Sequence, residues 1–243
     1  MKIALIGYGK MGKAIEKIAL ERGHRIVCII DEFHLNNFDS DAFREADVAI
    51  EFSTPQAAFD NYMKCFAAGI PVVAGTTGWL ERMEEVQAIC RTEGKTFFYA
   101  SNYSIGMNLF FALNKYLAGK MNSFPAYNVR LTETHHIHKL DAPSGTAITL
   151  AEDILARLDR KKQWALGDTE QADTLPIEAV REGETPGIHE VIYDSDVDCI
   201  RIRHSAKNRT GLALGAVLAA EFSIGRKGFL GMNDLLRLDD NND

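Results

Sequence analysis

No two of the four cysteines, Cys28, Cys65, Cys90 and Cys199, stand at a CxxC spacing. That excludes the common redox and zinc-ribbon motifs and predicts reduced thiols in a cytoplasmic protein. An excess of positive charge is also missing. The 27 Lys and Arg against 34 Asp and Glu give a net charge of -7, so nothing draws the chain generally to nucleic acid or an anionic membrane, and an anionic ligand must be met by a local basic patch. Long apolar runs are absent: the longest, from Leu212 to Ala220, falls well short of the roughly 20 residues that span a bilayer. Met1-Lys2 leads straight into Ile3-Ala4-Leu5-Ile6 without the basic and apolar blocks of a secretion leader. What remains is 243 residues, 46% of them hydrophobic, enough to build one large or two modest cores.

The first hundred residues alternate short β-branched runs with segments of helical period, the pattern of a parallel sheet with crossover helices. Strands are predicted at Ile3–Ile6, Ile26–Ile30, Val48–Phe52, Ile70–Ala74 and Thr96–Tyr99, and an amphipathic helix from Ile105 to about Ala118 leads into a different region. There Asn128–Thr134 alternates like a strand, Thr146–Leu158 has helical period, and Asp159–Thr174 is polar with little period. Two more strand-like runs follow, at Glu190–Tyr193 and Asp198–Arg203, then a small-residue helix over Leu212–Ser223 and an acidic tail, Asp239–Asp243. The fold class expected is α/β: a Rossmann-like, doubly wound parallel sheet over residues 1–104, with a second, smaller α+β domain over 105–209.

Gly7-Tyr8-Gly9-Lys10-Met11-Gly12 is a G-x-G-x-x-G between a strand and a helix, the context in which that spacing binds a dinucleotide. Gly7 permits the tight turn, Gly9 lets backbone approach a pyrophosphate at the helix N-terminus, and Gly12 allows close helix-to-strand packing. Asp31, about twenty residues on at the end of the second strand, is placed to accept from the adenosine ribose hydroxyls. A solvated strand-end carboxylate beside an ordinary glycine turn is the competing reading. A carboxylate there repels a 2′-phosphate and no arginine follows it, so NADH is expected to be preferred; Lys10 and Lys13 soften that preference and leave NADPH open. Gly75-Thr76-Thr77-Gly78 and Ala100-Ser101-Asn102-Tyr103 lie just past the fourth and fifth strands, where open α/β sheets bind ligands. Thr76, Thr77 and Asn102 suit the nicotinamide end, and Tyr103 offers an aromatic face; plain turn chemistry is the alternative for either loop.

The densest chemistry is in Glu133-Thr134-His135-His136-Ile137-His138-Lys139-Leu140-Asp141-Ala142-Pro143-Ser144-Gly145-Thr146. Histidine titrates near neutrality, lysine adds a fixed cation, and a Gly-Thr step opening a helix offers backbone N–H groups to an anion. Such a site protonates something negatively charged. A metal bound by His135, His136 and His138 is disfavoured, because no Cys or H-x-x-E-H spacing accompanies them and adjacent strand residues face opposite ways. His138 reads as a surface or supporting residue, and Ser144 as the helix N-cap. Arg201, Arg203, His204 and Lys207 form a local basic patch, read either as a lure for a dicarboxylate or as a solvated strand face.

The run E-T-H-H-I-H-K-L-D-A-P-S-G-T-A resembles the signature of the bacterial dihydrodipicolinate reductases. The resemblance extends to the glycine motif, Glu51-Phe52-Ser53-Thr54-Pro55, the GTTG and A-S-N-Y-S-I-G loops, His189, His204-Ser205-Ala206-Lys207 and Gly231-Met232-Asn233-Asp234-Leu235, and so covers nearly the whole chain. It implies NAD(P)H-dependent reduction of 4-hydroxy-tetrahydrodipicolinate, a cyclic dicarboxylate, to tetrahydrodipicolinate in the diaminopimelate route to lysine. It also implies His135 as proton donor or acceptor, Lys139 as second catalytic cation, and substrate binding by His136, Gly145 and Thr146. The dinucleotide would be held by Gly7, Tyr8, Gly9, Lys10, Met11, Gly12, Asp31, Gly75, Thr76, Thr77, Ala100, Ser101, Asn102 and Tyr103. By the same resemblance residues 210–243 complete the first domain, and the second builds a homotetramer. Glu32–Ala46 and Arg181–His189 look shorter than in many relatives, which bears on subunit contacts more than on chemistry. Two other readings remain: another NAD-dependent oxidoreductase of an amino acid or dicarboxylate, and a non-catalytic NADH-sensing module.

Overall fold

A computed structural model describes residues 1–208 and 210–238; the acidic tail Asp239–Asp243 lies outside the described residues. In chain order the elements are β1 (Lys2–Ile6), α1 (Lys10–Glu21), β2 (Arg25–Ile30), α2 (Asp41–Arg44), β3 (Val48–Glu51), α3 (Pro55–Ala67), β4 (Val72–Ala74), α4 (Met83–Glu93), β5 (Thr96–Tyr99) and α5 (Ile105–Met121). Then come β6 (Asn128–His135), α6 (Gly145–Leu155), β7 (Gln163–Leu166), β8 (Thr174–Arg181), β9 (Ile188–Asp194), β10 (Cys199–Ser205), α7 (Thr210–Ser223), β11 (Gly228–Leu230) and α8 (Met232–Leu236). The chain divides into two compact units, Met1–Ile105 with Thr210–Asp243, and Gly106–Arg209.

The first unit holds a six-stranded parallel sheet in the order β11-β5-β4-β3-β1-β2. Its inner strands are buried on both faces, as β3 with all four residues shows, which is why they read as continuous apolar runs rather than alternating ones. On one face Tyr62, Trp79 and Phe97 pack edge to face, with Tyr62 ring centroids 5.1 Å from Trp79 and 4.9 Å from Phe97. On the other, α1 and the small-residue helix α7 cover Ile3, Leu5, Ile50 and Val73. Pro55 opens α3 at its first turn, where its missing N–H costs nothing. The chain order reverses between β1 and β3, and ligands bind open α/β sheets at the carboxyl ends of the strands flanking such a switch.

The second unit is a mixed sheet, β10-β9-β6-β8-β7, antiparallel from β10 through β9 to β6 and parallel from β6 through β8 to β7. On β6, Val129, Leu131, Glu133 and His135 all point to the buried face. The apolar pair meets Phe110 of α5 and Leu150 and Ile154 of α6 in the core. The polar pair lies beyond that core, at the strand's end. β7 and β8 fall in or beside a stretch without readable period, and β11 is only three residues long, so the sequence did not announce them. No helix among the described residues is long and apolar enough to cross a membrane.

Candidate functional site

In the first unit, a groove of 580 Å³ is lined by Gly7, Tyr8, Gly9, Asp31, Phe52 and Ser53, among others. Gly7 donates to Ile30 O at 2.8 Å and has φ +90°; a Cβ there would fall 2.0 Å from Phe52 O. A Cβ on Gly12 would fall 2.3 Å from Gly7 O, so helix α1 can approach the loop only without a side chain at that position. Gly9, the N-cap of α1, differs: a Cβ there meets nothing within 4 Å, and no side chain caps the helix. The helix start therefore presents backbone to open space. That is the cradle a pyrophosphate requires. Lys10 is exposed and Met11 half-buried, while Tyr8 donates to Glu16 beneath Lys13, whose Nζ is 5.7 Å from the ring centroid.

Asp31 ends this groove. Its Oδ1 accepts from His34 Nδ1 at 2.7 Å and from Phe33 N at 3.0 Å. The His34 hydrogen bond is the main reason its carboxyl is held below the ordinary carboxylate value. The loop at 75–78 is tied to a buried carboxylate that no local motif singles out. Glu51 is fully buried and accepts from Tyr62 OH at 3.2 Å and from Ser53 N at 3.1 Å, while Ser53 N also donates to Thr76 Oγ1 at 2.8 Å. Burial raises its pKa against the pull of these hydrogen bonds. Gly75 lies against the Phe52 ring, Thr76 is buried, and Thr77 and Ser101 are exposed. Ala100 is buried and Asn102 Oδ1 accepts from Ser104 N at 2.9 Å. The aromatic face expected of Tyr103 is not offered. Its ring stacks on Phe98 with centroids 5.9 Å apart, and its hydroxyl donates to Ala74 O at 2.7 Å. The reason is that α7 packs on this loop through Gly215, where a Cβ would lie 1.7 Å from Tyr103 O. The side chain lies in the core and the carbonyl oxygen faces α7.

In the second unit His135 closes β6 and is 8% exposed. Glu133, two residues back on the same face, is fully buried; its Oε1 accepts from Ser144 N at 3.0 Å and Arg181 Nη2 at 3.1 Å. Register delivers these neighbours: β8 sets Arg181 opposite His135, and β9 sets His189 opposite Glu133. Arg181 also donates to Asp141 O at 2.7 Å, pinning the loop after β6. In that loop Lys139 Nζ lies 2.8 and 2.9 Å from the two Asp141 oxygens, and exposed His138 pairs with Glu184 at 3.2 Å. His136 is half-buried. Ser144 caps α6 by accepting from Ala147 N at 3.2 Å, so Gly145 and Thr146 supply the first turn's N–H groups, and a Cβ on Gly145 would meet nothing within 4 Å.

Burial lowers the pKa of His135, Lys139, Arg181 and His136 lower it further, and the Glu133 charge pushes it back up. Burial is again the first cause for His189, brought down to about 4. For Glu133 burial works the other way, but hydrogen bonds from Ser144 and Arg181 outweigh it and hold the carboxyl below its ordinary value. Chemically, this is an imidazole at the end of a strand, with the Lys139 and Arg181 cations acting on it, and a helix start open to an anion. Ligand atoms of Glu133, His135 and His189 lie within 4.8 Å of one another, a trio that shares only His135 with the set His135, His136 and His138. The Arg181 guanidinium on the same carboxylate opposes a metal cation there. Arg201 and Arg203 are exposed on β10, the edge strand.

The family described as "Dihydrodipicolinate reductase, N-terminus" matches residues 1–103, and "Dihydrodipicolinate reductase, C-terminus" matches residues 106–236. The chain is 50% identical over 236 residues to the 4-hydroxy-tetrahydrodipicolinate reductase of Christiangramia forsetii, covering 97% of this chain and 98% of that one. It is 33% identical over 239 residues to the enzyme of that name from Staphylococcus aureus, covering 91% and 94%. Among solved structures, the fold matches a dipicolinate-bound dihydrodipicolinate reductase from Paenisporosarcina sp. TG-14 with a TM-score of 0.80 at 23% identity, over 95% of this chain and 97% of that one.

Proposed function

The chain belongs to the dihydrodipicolinate reductase family, and from that premise we propose how its own residues divide the work. It is an NAD(P)H-dependent oxidoreductase that reduces 4-hydroxy-tetrahydrodipicolinate to tetrahydrodipicolinate on the route to lysine. The bound nicotinamide supplies the hydride.

The pyrophosphate sits against the Gly9 end of α1, held by the backbone from Gly7 to Gly12 with Tyr8, Lys10 and Met11 around it. Gly75, Thr76, Thr77 and the backbone of Ala100, Ser101, Asn102 and Tyr103 hold the nicotinamide end. Asp31, with Oδ1 already taken by His34 and Phe33, turns its second oxygen to the ribose hydroxyls. A fixed carboxylate at that place favours NADH over NADPH.

In the second unit His135 delivers the proton that the reduced ring needs, and Lys139 stabilises the negative charge that develops before protonation. The first turn of α6, at Gly145 and Thr146, and His136 take a substrate carboxylate. The observation that carries this is the buried His135 next to a cation and an open helix start, all within fourteen residues of one motif. The same family resemblance carries a homotetramer in the cytoplasm as part of the proposal.

The test is steady-state kinetics of two variants. His135→Gln should lower kcat by about 10²- to 10⁴-fold, the usual worth of a positioned general acid, with NADH affinity retained. Lys139→Ala should in addition raise KM for the substrate. Wild-type turnover by His135→Gln would remove the proton from this residue.

A further inference from the structure

Resting on the assignment of His135 as proton donor, we propose that Glu133 is its positioning residue. Its Oε2 accepts the Nδ1–H, so that Nε2 is the atom whose proton the imidazolium gives up, leaving the neutral Nδ1–H ring, and it ties that ring to the anion-binding turn of α6.

Two buried atoms face each other here, with His189 Nε2 3.8 Å from the same Glu133 oxygen. Glu133 Oε2 and His135 Nδ1 are 3.1 Å apart, and neither has a hydrogen bond among the described residues, because the ring is turned out of line with the carboxylate. A small rotation of the imidazole aligns them, and which ring nitrogen carries the proton is set by the bond the other makes. The opposite nitrogen has been left room. A Cβ on Gly187 would stand 3.1 Å from His135 Nε2, and φ +153° there also disfavours a side chain. The strand end thus presents Nε2 past a bare backbone while Nδ1 looks inward at the carboxylate.

Glu133 is anchored independently of His135. Its other oxygen accepts from Ser144 N and from Arg181, so the same carboxylate spans the acid and the N-cap of the helix proposed to hold the substrate. His189 completes the wall: its Nε2 is 3.2 Å from Ser144 Oγ, and its ring is edge-on to His135 with centroids 5.2 Å apart. The charged and titratable groups around His135 are Lys139, Asp141 and His136 in the loop after β6, Arg181 on β8 and His189 on β9; His204 on β10 bears on His189. Of those acting on His135, Glu133 alone favours the imidazolium. Arg181 and Lys139 work against it, which is why a buried carboxylate at this position matters to an acid that must hold a proton near neutral pH.

Glu133→Gln keeps the shape and an Oε1 for Ser144, but puts an NH2 where Oε2 was. That group donates to Nδ1, which moves the neutral proton to Nε2 and leaves the imidazolium without support. The expected result is a kcat about 10- to 100-fold lower, and an alkaline limb of kcat/KM moved about one unit to lower pH, with the NADH dissociation constant unchanged. A merely structural role would lower the melting temperature and leave the limb in place. Glu133→Asp keeps the charge on a shorter arm and should hold the limb while losing stability, which also covers the case in which the Gln variant does not fold. Nitrogen-15 spectra of labelled His135 in the wild type give a readout independent of turnover. The Nδ1–H tautomer supports the proposal. An Nε2–H tautomer, a limb that stays put in Glu133→Gln, a limb that Glu133→Asp moves equally, or one equivalent of divalent metal on these nitrogens in the purified enzyme overturns it. If the Nδ1–H tautomer is found and His135→Gln still turns over normally, the positioning stands and the proton-donor role falls.

Discussion

Replacing Gly9 and Gly12 by alanine, one at a time, separates folding from cofactor binding within a single loop. At Gly12 the added Cβ would fall 2.3 Å from Gly7 O, against a floor of 3.0 Å for real contacts, so backbone must retreat by about 0.7 Å. Overpacking of that kind costs about 1–3 kcal/mol, or roughly 2–12 °C in the melting midpoint of a chain this size. At Gly9 nothing lies within 4 Å and φ is -77°, which alanine adopts freely. The apo protein should therefore melt within about 0.5 kcal/mol of wild type, or slightly higher, since alanine also restricts the unfolded chain. Its methyl occupies the space into which the pyrophosphate settles, so NADH affinity should drop at least tenfold. The assay is thermal melting with and without NADH. At a hundred times the wild-type Kd, the ligand adds about 2.7 kcal/mol to wild type, and a tenfold weaker Kd removes about 1.3 kcal/mol of that gain, roughly 3–5 °C. A Gly9→Ala protein that gains the full wild-type increment with NADH would refute the placement of the phosphates at the start of α1.

Asp31→Ala should narrow the ratio of kcat/KM for NADH over NADPH by about tenfold, because it removes both the ribose acceptor and the repulsion of a 2′-phosphate; an unchanged ratio rules out the carboxylate as its source. His189 links stability to pH. Its unfolded value is near 6.5 and its folded value about 4, so the unfolded state takes up the proton first. The contribution is present above pH 6.5 and lost as pH falls toward 4, by about 3 kcal/mol. Urea midpoints across that range should fall less steeply in His189→Gln than in wild type, and parallel slopes would contradict the assignment.

The parallel sheet was legible because its inner strands are buried on both faces and spell continuous apolar runs, as Val48 to Ile50 do. β8 was not, because Pro176 argues against a strand and the polar stretch before it has no period. It is one nonetheless, since β6 and β7 pair with it on either side. The candidate site divides the same way. His135, Lys139, Gly145 and Thr146 belong to one local motif and could be read directly. Arg181 and His189 come to Glu133 only through strand register, which no local pattern reports. Glu133 itself was readable in part, because the two-residue alternation of β6 puts it on the buried face with His135, and a buried carboxylate needs a partner. Tyr103 shows the opposite error. A loop aromatic next to a ligand site reads as a contact, but close packing of α7 through Gly215 turned it into core.

The most direct measurement mixes the purified protein with NADH and substrate freshly made from pyruvate and aspartate semialdehyde by the preceding synthase, and follows NADH absorbance. NADH should be consumed only when the synthase has supplied the cyclic dicarboxylate, and His135→Gln should slow that consumption at least a hundredfold. Oxidation no faster than in the synthase-free control, with a folded protein that still binds NADH, would contradict the reductase reading.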